Sequence, residues 1–259
     1  MEELRTIKTE PIEIWQEYQK GIQYLSNLNI YRTVEVNEDF YDGRQWKGLD
    51  AKNLPKPVFN VLQRAGKYMI ASIGSNDIAV DLEPLSELPD DAERTAPIAQ
   101  EIQNIIEVAR MKEASKELIR NAFVDGWGYM MQSFDPDVET GQEVKGVVKN
   151  QVIDCTNVYF GNPYSNDIQS QPYIIVALRQ DISQVKNEAA RLGISKEEIE
   201  SISPDNDGLQ ANDDSTSLVT VLIKYFKEDT VHFIKTTKDV KLIDDTDLGY
   251  KRYPLACFG

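Results

Sequence analysis

The chain has 259 residues, with 28 Lys+Arg against 43 Asp+Glu and a formal net charge of −15. Hydrophobic residues make up 41 % and charged residues 27 %, the mix of a globular protein long enough to bury a core without staples. Such acidity argues against a surface made to grip nucleic-acid phosphates, which needs clustered Lys and Arg, but not against one that DNA slides past.

Residues 11–28 read as a helix, because Ile14, Tyr18, Ile22 and Leu25 share one helical face and Pro11 suits an early helical position. Asn29 to Pro57 reads as irregular and rich in aromatics and turn formers, with turn signals at Asp42-Gly43 and Lys47-Gly48. Leu54-Pro55-Lys56-Pro57 is extended, since each proline disfavours helix in the residue before it. A second helix is predicted over 58–73, with Val58, Leu62, Ala65, Met69 and Ile73 as its buried face and Gly74 as its cap. Ile78, Val80 and Leu82 alternate with Ala79, Asp81 and Glu83 as a short strand would. Pro84 to Pro89 is a linker.

Asp90-x-x-Glu93 resembles a capping box opening a helix to about Arg110, with Ile98, Ile102, Ile105, Ile106 and Ala109 on its face. Another helix, about 112–125, carries Ala114, Leu118, Ala122 and Phe123 and ends at Gly126-Trp127-Gly128. Strands are predicted at 129–134, 143–153, 156–160 and 172–180. A helix over 182–192 follows, ending at Gly193. Ser195-x-x-Glu198 is a second capping box, and residues 203–217 read as a mobile acidic loop. A hairpin, 217–227 with 230–236, and two strands at 239–244 and 253–258 complete the chain. The expected class is therefore α+β: a mainly helical region over 1–127 and a strand-rich region over 128–259. The closing run Leu255-Ala256-Cys257-Phe258-Gly259 reads as a strand cut short.

Chemistry is hard to assemble from these residues. Cys155 and Cys257 cannot make a disulfide scaffold, and with His232 they cannot complete a Cys/His zinc site. Cysteine usage gives a reducing cytoplasm as the default compartment. The first residues carry neither the basic nor the apolar region of a secretory signal, and no apolar run approaches the ~18–20 residues that span a bilayer. His232, the one base available to a Ser or Cys nucleophile, sits in an alternating strand and reads as an exposed strand residue. GxxxxGK[ST] and GxGxxG are missing, and Gly126-Trp127-Gly128 reads as a tight turn.

Three weak candidates remain. Glu38-Asp39 beside Tyr41 and Trp46 could serve an acidic, carboxylate-dependent hydrolase, though a solvated turn packed by its aromatics is the simpler reading. Ser203-x-Asp205-x-Asp207-Gly208, with Asp214 behind it, loosely copies a calcium loop, but Ser203 and Ala211 stand where oxygen-rich ligands belong. Residues 197–214 hold seven acids (Glu197, Glu198, Glu200, Asp205, Asp207, Asp213, Asp214) and no base, normally a solvated face and, around a ring, a charge that repels DNA. Phe40, Tyr41 and Trp46 suit a core plug or, second to that, a subunit interface, with Arg44 nearby to pair with an acid. No residue is assigned a catalytic, cofactor-binding or metal-binding role.

The run Phe40-Tyr41-Asp42-Gly43-Arg44-Gln45-Trp46, the Pro55-x-Pro57 bend and the helix opening at Phe59-Asn60-x-Leu62 resemble the N-terminal region of portal proteins of tailed bacteriophages. Asp125-Gly126-Trp127-Gly128-Tyr129 entering a hairpin, Val152-Ile153-Asp154 to Asn157-Val158-Tyr159-Phe160, and Asp167 to Val176 are similar to the portal body. Tyr253-Pro254-Leu255 resembles the segment before the family's central helices. The resemblance implies a wing- and body-like α+β fold, without catalysis or cofactors. It further implies a homo-oligomeric ring, usually of twelve subunits, at one capsid vertex of the virion. A packaging motor (terminase) docks there, capsid and tail proteins attach, and DNA passes through without sequence-specific binding, after assembly in the host cytoplasm. The family's stem and clip would follow residue 259, so none of their functional residues is carried over.

Overall fold

A computed structural model describes residues 7–50, 54–75, 80–84, 89–139, 141, 145–205 and 217–259. The fold is α+β, with helices in the first half of the chain and antiparallel sheets in the second. By packing, the chain forms two compact units, each assembled from distant stretches: residues 1–32 with 156–253, and residues 33–155 with 254–259.

The first unit is built on a five-stranded sheet of β3 (Val158–Phe160), β4 (Tyr173–Asp181), β5 (Leu218–Lys227), β6 (Val231–Thr236) and β7 (Lys241–Asp247). The strands lie in chain order and every pair is antiparallel. Successive side chains of a strand point to opposite faces. On β5, Leu222 and Phe226 pack with Ile14 and Tyr18 of α1 (Pro11–Asn27), while Val219 and Val221 pack with Val185 and Ala189 of α6 (Ile182–Arg191). The sheet is thus covered on both sides, and β5 is buried along nearly its whole length.

Asp181 caps α6 by accepting from the Ser183 amide at 2.8 Å. Ser195 and Glu198 form the anticipated capping box on α7 (Lys196–Ser201). Gly21 sits inside α1 for a steric reason: a Cβ there would lie 2.5 Å from the Tyr159 ring, which meets Tyr18 edge to face at 5.0 Å.

The first part of the stretch expected to be irregular is instead helix: α2 spans Ile30–Tyr41, and the described residues from Asp42 to Pro57 are turns and irregular chain as expected. Asn29, at φ +56°, breaks the chain between α1 and α2. Ile30, Val34, Glu38 and Tyr41 then recur with helical spacing and are the shielded side of α2, a periodicity masked in the sequence by β-branched residues and Asn37.

In the second unit, α3 (Val61–Gly74), α4 (Pro89–Val108) and α5 (Met111–Asp125) accompany a three-stranded antiparallel sheet. Its order is β2 (Val147–Ile153), β1 (Gly128–Asp135), β8 (Leu255–Phe258). β1 and β2 form a hairpin, and β8 joins from the far end of the chain with Met131 opposite Leu255. Arg110 at φ +49° separates α4 from α5, and Gly126 at φ +92° ends α5, a conformation that costs glycine little. Asn60 caps α3 by accepting from the Gln63 amide at 2.9 Å and donates to the Tyr41 carbonyl at 2.6 Å, so α3 starts three residues later than expected.

Two further expectations fail. Val80 to Glu83 is not a strand, since among the described residues no neighbour pairs with it; Ile78 and Ala79 lie outside the described residues. The predicted inner face of α3 is turned outward: Leu62, Ala65, Met69 and Ile73 are exposed. The helix rests instead on Gly66 and Gly74, where a Cβ would meet Phe123 and Tyr41 at 2.8 and 2.9 Å and Lys116 at 3.0 Å. Glycine permits a backbone approach to α5 that a larger residue blocks, so the close packing face is the one without side chains.

Candidate functional site

Glu38 and Asp39 lie in the last turns of α2, where neighbouring side chains diverge by about 100° around the axis. Both terminal nitrogens of Arg120 on α5 grip the two carboxylate oxygens of Glu38. Asp39 faces elsewhere, 2.7 Å from Lys47 Nζ and 2.8 Å from Arg44 Nε. Lys47 first and Arg44 next hold the Asp39 carboxyl below its ordinary range. Two carboxylates neutralised by separate cations do not form the facing pair that hydrolysis of a glycosidic type needs.

Around Arg120 the structure gathers residues that no sequence motif marks. Its guanidinium lies 5.2 Å from the Tyr41 ring centroid, and Glu38 raises its pKa. Asn121 is buried and donates to Asp154 Oδ1 at 3.2 Å. Asp125, one turn further along α5, has a buried Oδ1 with no hydrogen-bond partner. Burial, helped by Glu38 and Asp154 and opposed by Arg120, pushes its carboxyl up to about 6. These residues come from α2, α5 and the segment after β2, separations at which sequence periodicity carries no signal.

The aromatic run divides its work. Tyr41 is buried against Phe123, with ring centroids 6.4 Å apart, as the core-plug reading expects. Phe40 and Trp46 are exposed, and the Trp46 indole donates to the Pro57 carbonyl at 3.0 Å, pinning the loop between α2 and α3. Arg44 pairs within its own segment, with Asp39 and Asp42.

Of the calcium-like loop, Asp205 is already engaged: Arg179, the Thr220 hydroxyl and the Thr220 amide all donate to its carboxylate. Asp207, Gly208, Ala211, Asp213 and Asp214 lie outside the described residues. Among the described residues no cluster of three His, Cys, Asp or Glu side chains could hold a metal ion. His232 stacks on Phe226 and bonds Asp245 Oδ1 through Nδ1 at 2.8 Å, so it belongs to the sheet surface. Cys155 is buried, Cys257 is exposed, and both are free thiols. Gly126 caps α5 as the turn reading requires.

The family model of the phage P22-like portal protein matches residues 16–245, from α1 to β7. The chain belongs to the phage P22-like portal protein family. No curated protein matches the sequence. Portal proteins are structural rather than enzymatic and are virion components.

Beyond these side chains, the described residues of this portal protein form two grooves and one exposed apolar surface. A groove of about 390 Å³ runs beside α1, between Trp15 and Ile22 on one side and Pro204 and Thr237 on the other. In the other unit a groove of about 470 Å³ opens between α5 and β2, and Asn150 Oδ1 is buried there without a partner. More prominent is the apolar surface that follows α2. Phe59 is 85 % exposed, Tyr68 76 % and Val61 70 %. Large contiguous apolar surface on a single chain marks a contact site. Periodicity made α3 a core helix; the tertiary packing leaves that face outward.

Proposed function

We propose that the chain is a structural subunit of a portal ring of twelve copies at the capsid vertex. There it is a conduit for DNA packaging and ejection and a connection between head and tail, and it has no catalytic role. The observation that carries the reading is the family match over residues 16–245. Two physical features support it. A net charge of −15 disfavours adhesion of a passing phosphate backbone, so DNA moves through without sequence-specific binding. The outward apolar face of α3 is the kind of surface that a neighbouring subunit covers. The packaging motor, capsid and tail proteins are the remaining partners, and assembly takes place in the host cytoplasm.

The test is native mass spectrometry with negative-stain electron microscopy, on protein expressed from its complete reading frame and concentrated. Closed rings of uniform copy number are expected. Monomers alone at every concentration overturn the reading.

A further inference from the structure

We propose that Tyr164 of one subunit seats in the groove beside α1 of the next, so that neighbouring copies interlock head to tail. The inference rests on the ring reading and names one contact that closes the ring.

Tyr164 is 86 % exposed, yet the loop that carries it is tied down on both sides. The buried Gln171 side chain accepts from the Asn162 amide at 2.9 Å and donates to the Asn162 and Ser165 carbonyls, each at 3.0 Å. Asn162 Oδ1 accepts from the Tyr164 amide at 3.2 Å, and the Ser165 and Ser170 hydroxyls meet at 3.2 Å. Pro163 restricts the backbone just before the tyrosine. The Tyr164 ring meets Tyr24 of α1 edge to face, with centroids 6.1 Å apart. An aromatic held out on an ordered loop loses little freedom when a partner covers it, which suits an interface anchor.

The groove beside α1 can take such a ring. Trp15, Ile22, Ile202 and Pro204 give it apolar walls, and the exposed Gln19 and Asp239 offer oxygens that can accept from a phenol. Its volume of about 390 Å³ lies at the small end of the ~300–1,000 Å³ of sites that enclose an organic molecule.

The fold keeps the tyrosine and the groove apart within one chain. On α1, at about 100° per residue, Trp15, Gln19 and Ile22 fall within about 60° of one another, and Tyr24 is about 140–180° away from them. Ile14 and Tyr18, packed on the sheet, lie between these two flanks. Tyr164 follows the edge strand β3, at the end of the sheet where the Gly161 amide bonds the Tyr173 carbonyl and Tyr173 is opposite Phe226. The groove takes in Val219, opposite Gln180, and the turn between β6 and β7 at Thr237, at the other end. From Tyr173 to Gln180 the strand runs about 23 Å. Tyr164 therefore does not reach the groove of its own chain.

This placement selects a second copy as the occupant. A projection and a groove at opposite corners of one compact unit make a heterologous contact, and heterologous contacts generate rings when the rotation closes. Membership of the portal family implies an oligomeric ring. An isologous pairing would set tyrosine against tyrosine and leave both grooves empty.

The experiment is thiol cross-linking of assembled rings with a short bis-maleimide, on protein expressed from its complete reading frame in which the exposed Cys257 carries Cys257→Ser. In that background, a chain with both Tyr164→Cys and Lys238→Cys is expected to give a ladder of covalent multimers on a denaturing gel. Lys238 is an exposed residue of the groove lining. An equimolar assembly of the two single variants should give cross-linked dimers and nothing larger, and each single variant alone should give none. Intact rings without a ladder overturn the proposal, as does cross-linking of the Tyr164→Cys chain to itself. Separately, Tyr164→Ala should raise the protein concentration needed for rings at least tenfold, read by sedimentation velocity and native mass spectrometry. The position is exposed, so the melting temperature of the unassembled chain should match the parent. Assembly of Tyr164→Ala at the parental concentration overturns the proposal. If the parent itself never forms rings, the portal-ring reading fails, an outcome visible before any variant is made.

Discussion

Lys224 on β5 reaches Glu17 on α1 with Nζ 2.6 Å from the carboxylate, and it is the one lysine in the described structure buried to this degree, at 1 % exposure. The same ammonium donates to the Lys8 carbonyl at 2.9 Å and lies 4.8 Å from the Tyr173 ring centroid. Burial lowers its pKa and Glu17 opposes that shift. The pair fastens the segment before α1, and α1 itself, to the middle of the sheet.

Breaking this pair from one side should be worse than removing it whole. Glu17→Ala strands a buried ammonium and is expected to cost ~3–5 kcal/mol. Glu17→Gln with Lys224→Met removes both charges and keeps most of the volume, so it should cost much less. Urea unfolding monitored by tryptophan fluorescence measures both, and a double variant as unstable as the single one contradicts the account.

Asp125 gives a pH dependence of known sign. Its folded pKa is about 6 against 3.8 in the open chain, so the folded state holds the proton more tightly. Its favourable contribution is complete below pH 3.8 and is lost as pH rises through about 6. Asp125→Asn should therefore be more stable than the parent above pH 6 and should flatten the stability profile between those limits. Thermal melting across pH 3.5–8 reads both effects, and a parental profile unchanged by the substitution counts against a desolvated carboxyl.

His232 titrates in the opposite sense to a salt-bridged acid. The hydrogen bond that its Nδ1 donates to Asp245, aided by the charges of Asp247 and Glu228, raises its pKa above the ordinary 6.5. Stabilisation by the His232–Asp245 pair is full below 6.5 and disappears as pH rises through the higher folded value. The chain has a single histidine, so one imidazole resonance followed by NMR gives the midpoint without assignment. Asp245→Asn should return that midpoint toward 6.5.

Gly66 decides the seat of α3. In an open helix Gly→Ala stabilises by about 1 kcal/mol. Here the new Cβ would lie 2.8 Å from Phe123 and 2.9 Å from Tyr41; Tyr41 is buried and the half-buried Phe123 ring packs against it. Overpacking of this kind costs ~1–3 kcal/mol, so Gly66→Ala should destabilise. A rise in melting temperature with this variant would show that α3 does not rest on α5 at that point.

Local chemistry settled a good deal of this protein in advance. The face Ile14, Tyr18, Ile22 and Leu25 marks α1, Ser195 with Glu198 marks the start of α7, and Gly126 marks the end of α5. Each depends on residues within a few positions of one another, and the α+β class follows from them. The family resemblance had the same footing, in short runs such as Phe40 to Trp46 and Asp125 to Tyr129.

What only the tertiary structure decided depends on residues far apart. β8 pairs with β1 across more than a hundred residues, Arg120 finds Glu38, and Lys224 finds Glu17. Nothing in a window of fifteen residues distinguishes these partners from the other acids and cations. Amphipathicity is equally silent about what covers an apolar face. The stripe of Leu62, Met69 and Ile73 says that α3 has a side that avoids water, but not that Gly66 and Gly74 would take the contact with α5 and leave that stripe outward. Periodicity measures the preference of a side chain for burial, whereas the closest approach of two backbones is set by the smallest residues on the facing surfaces.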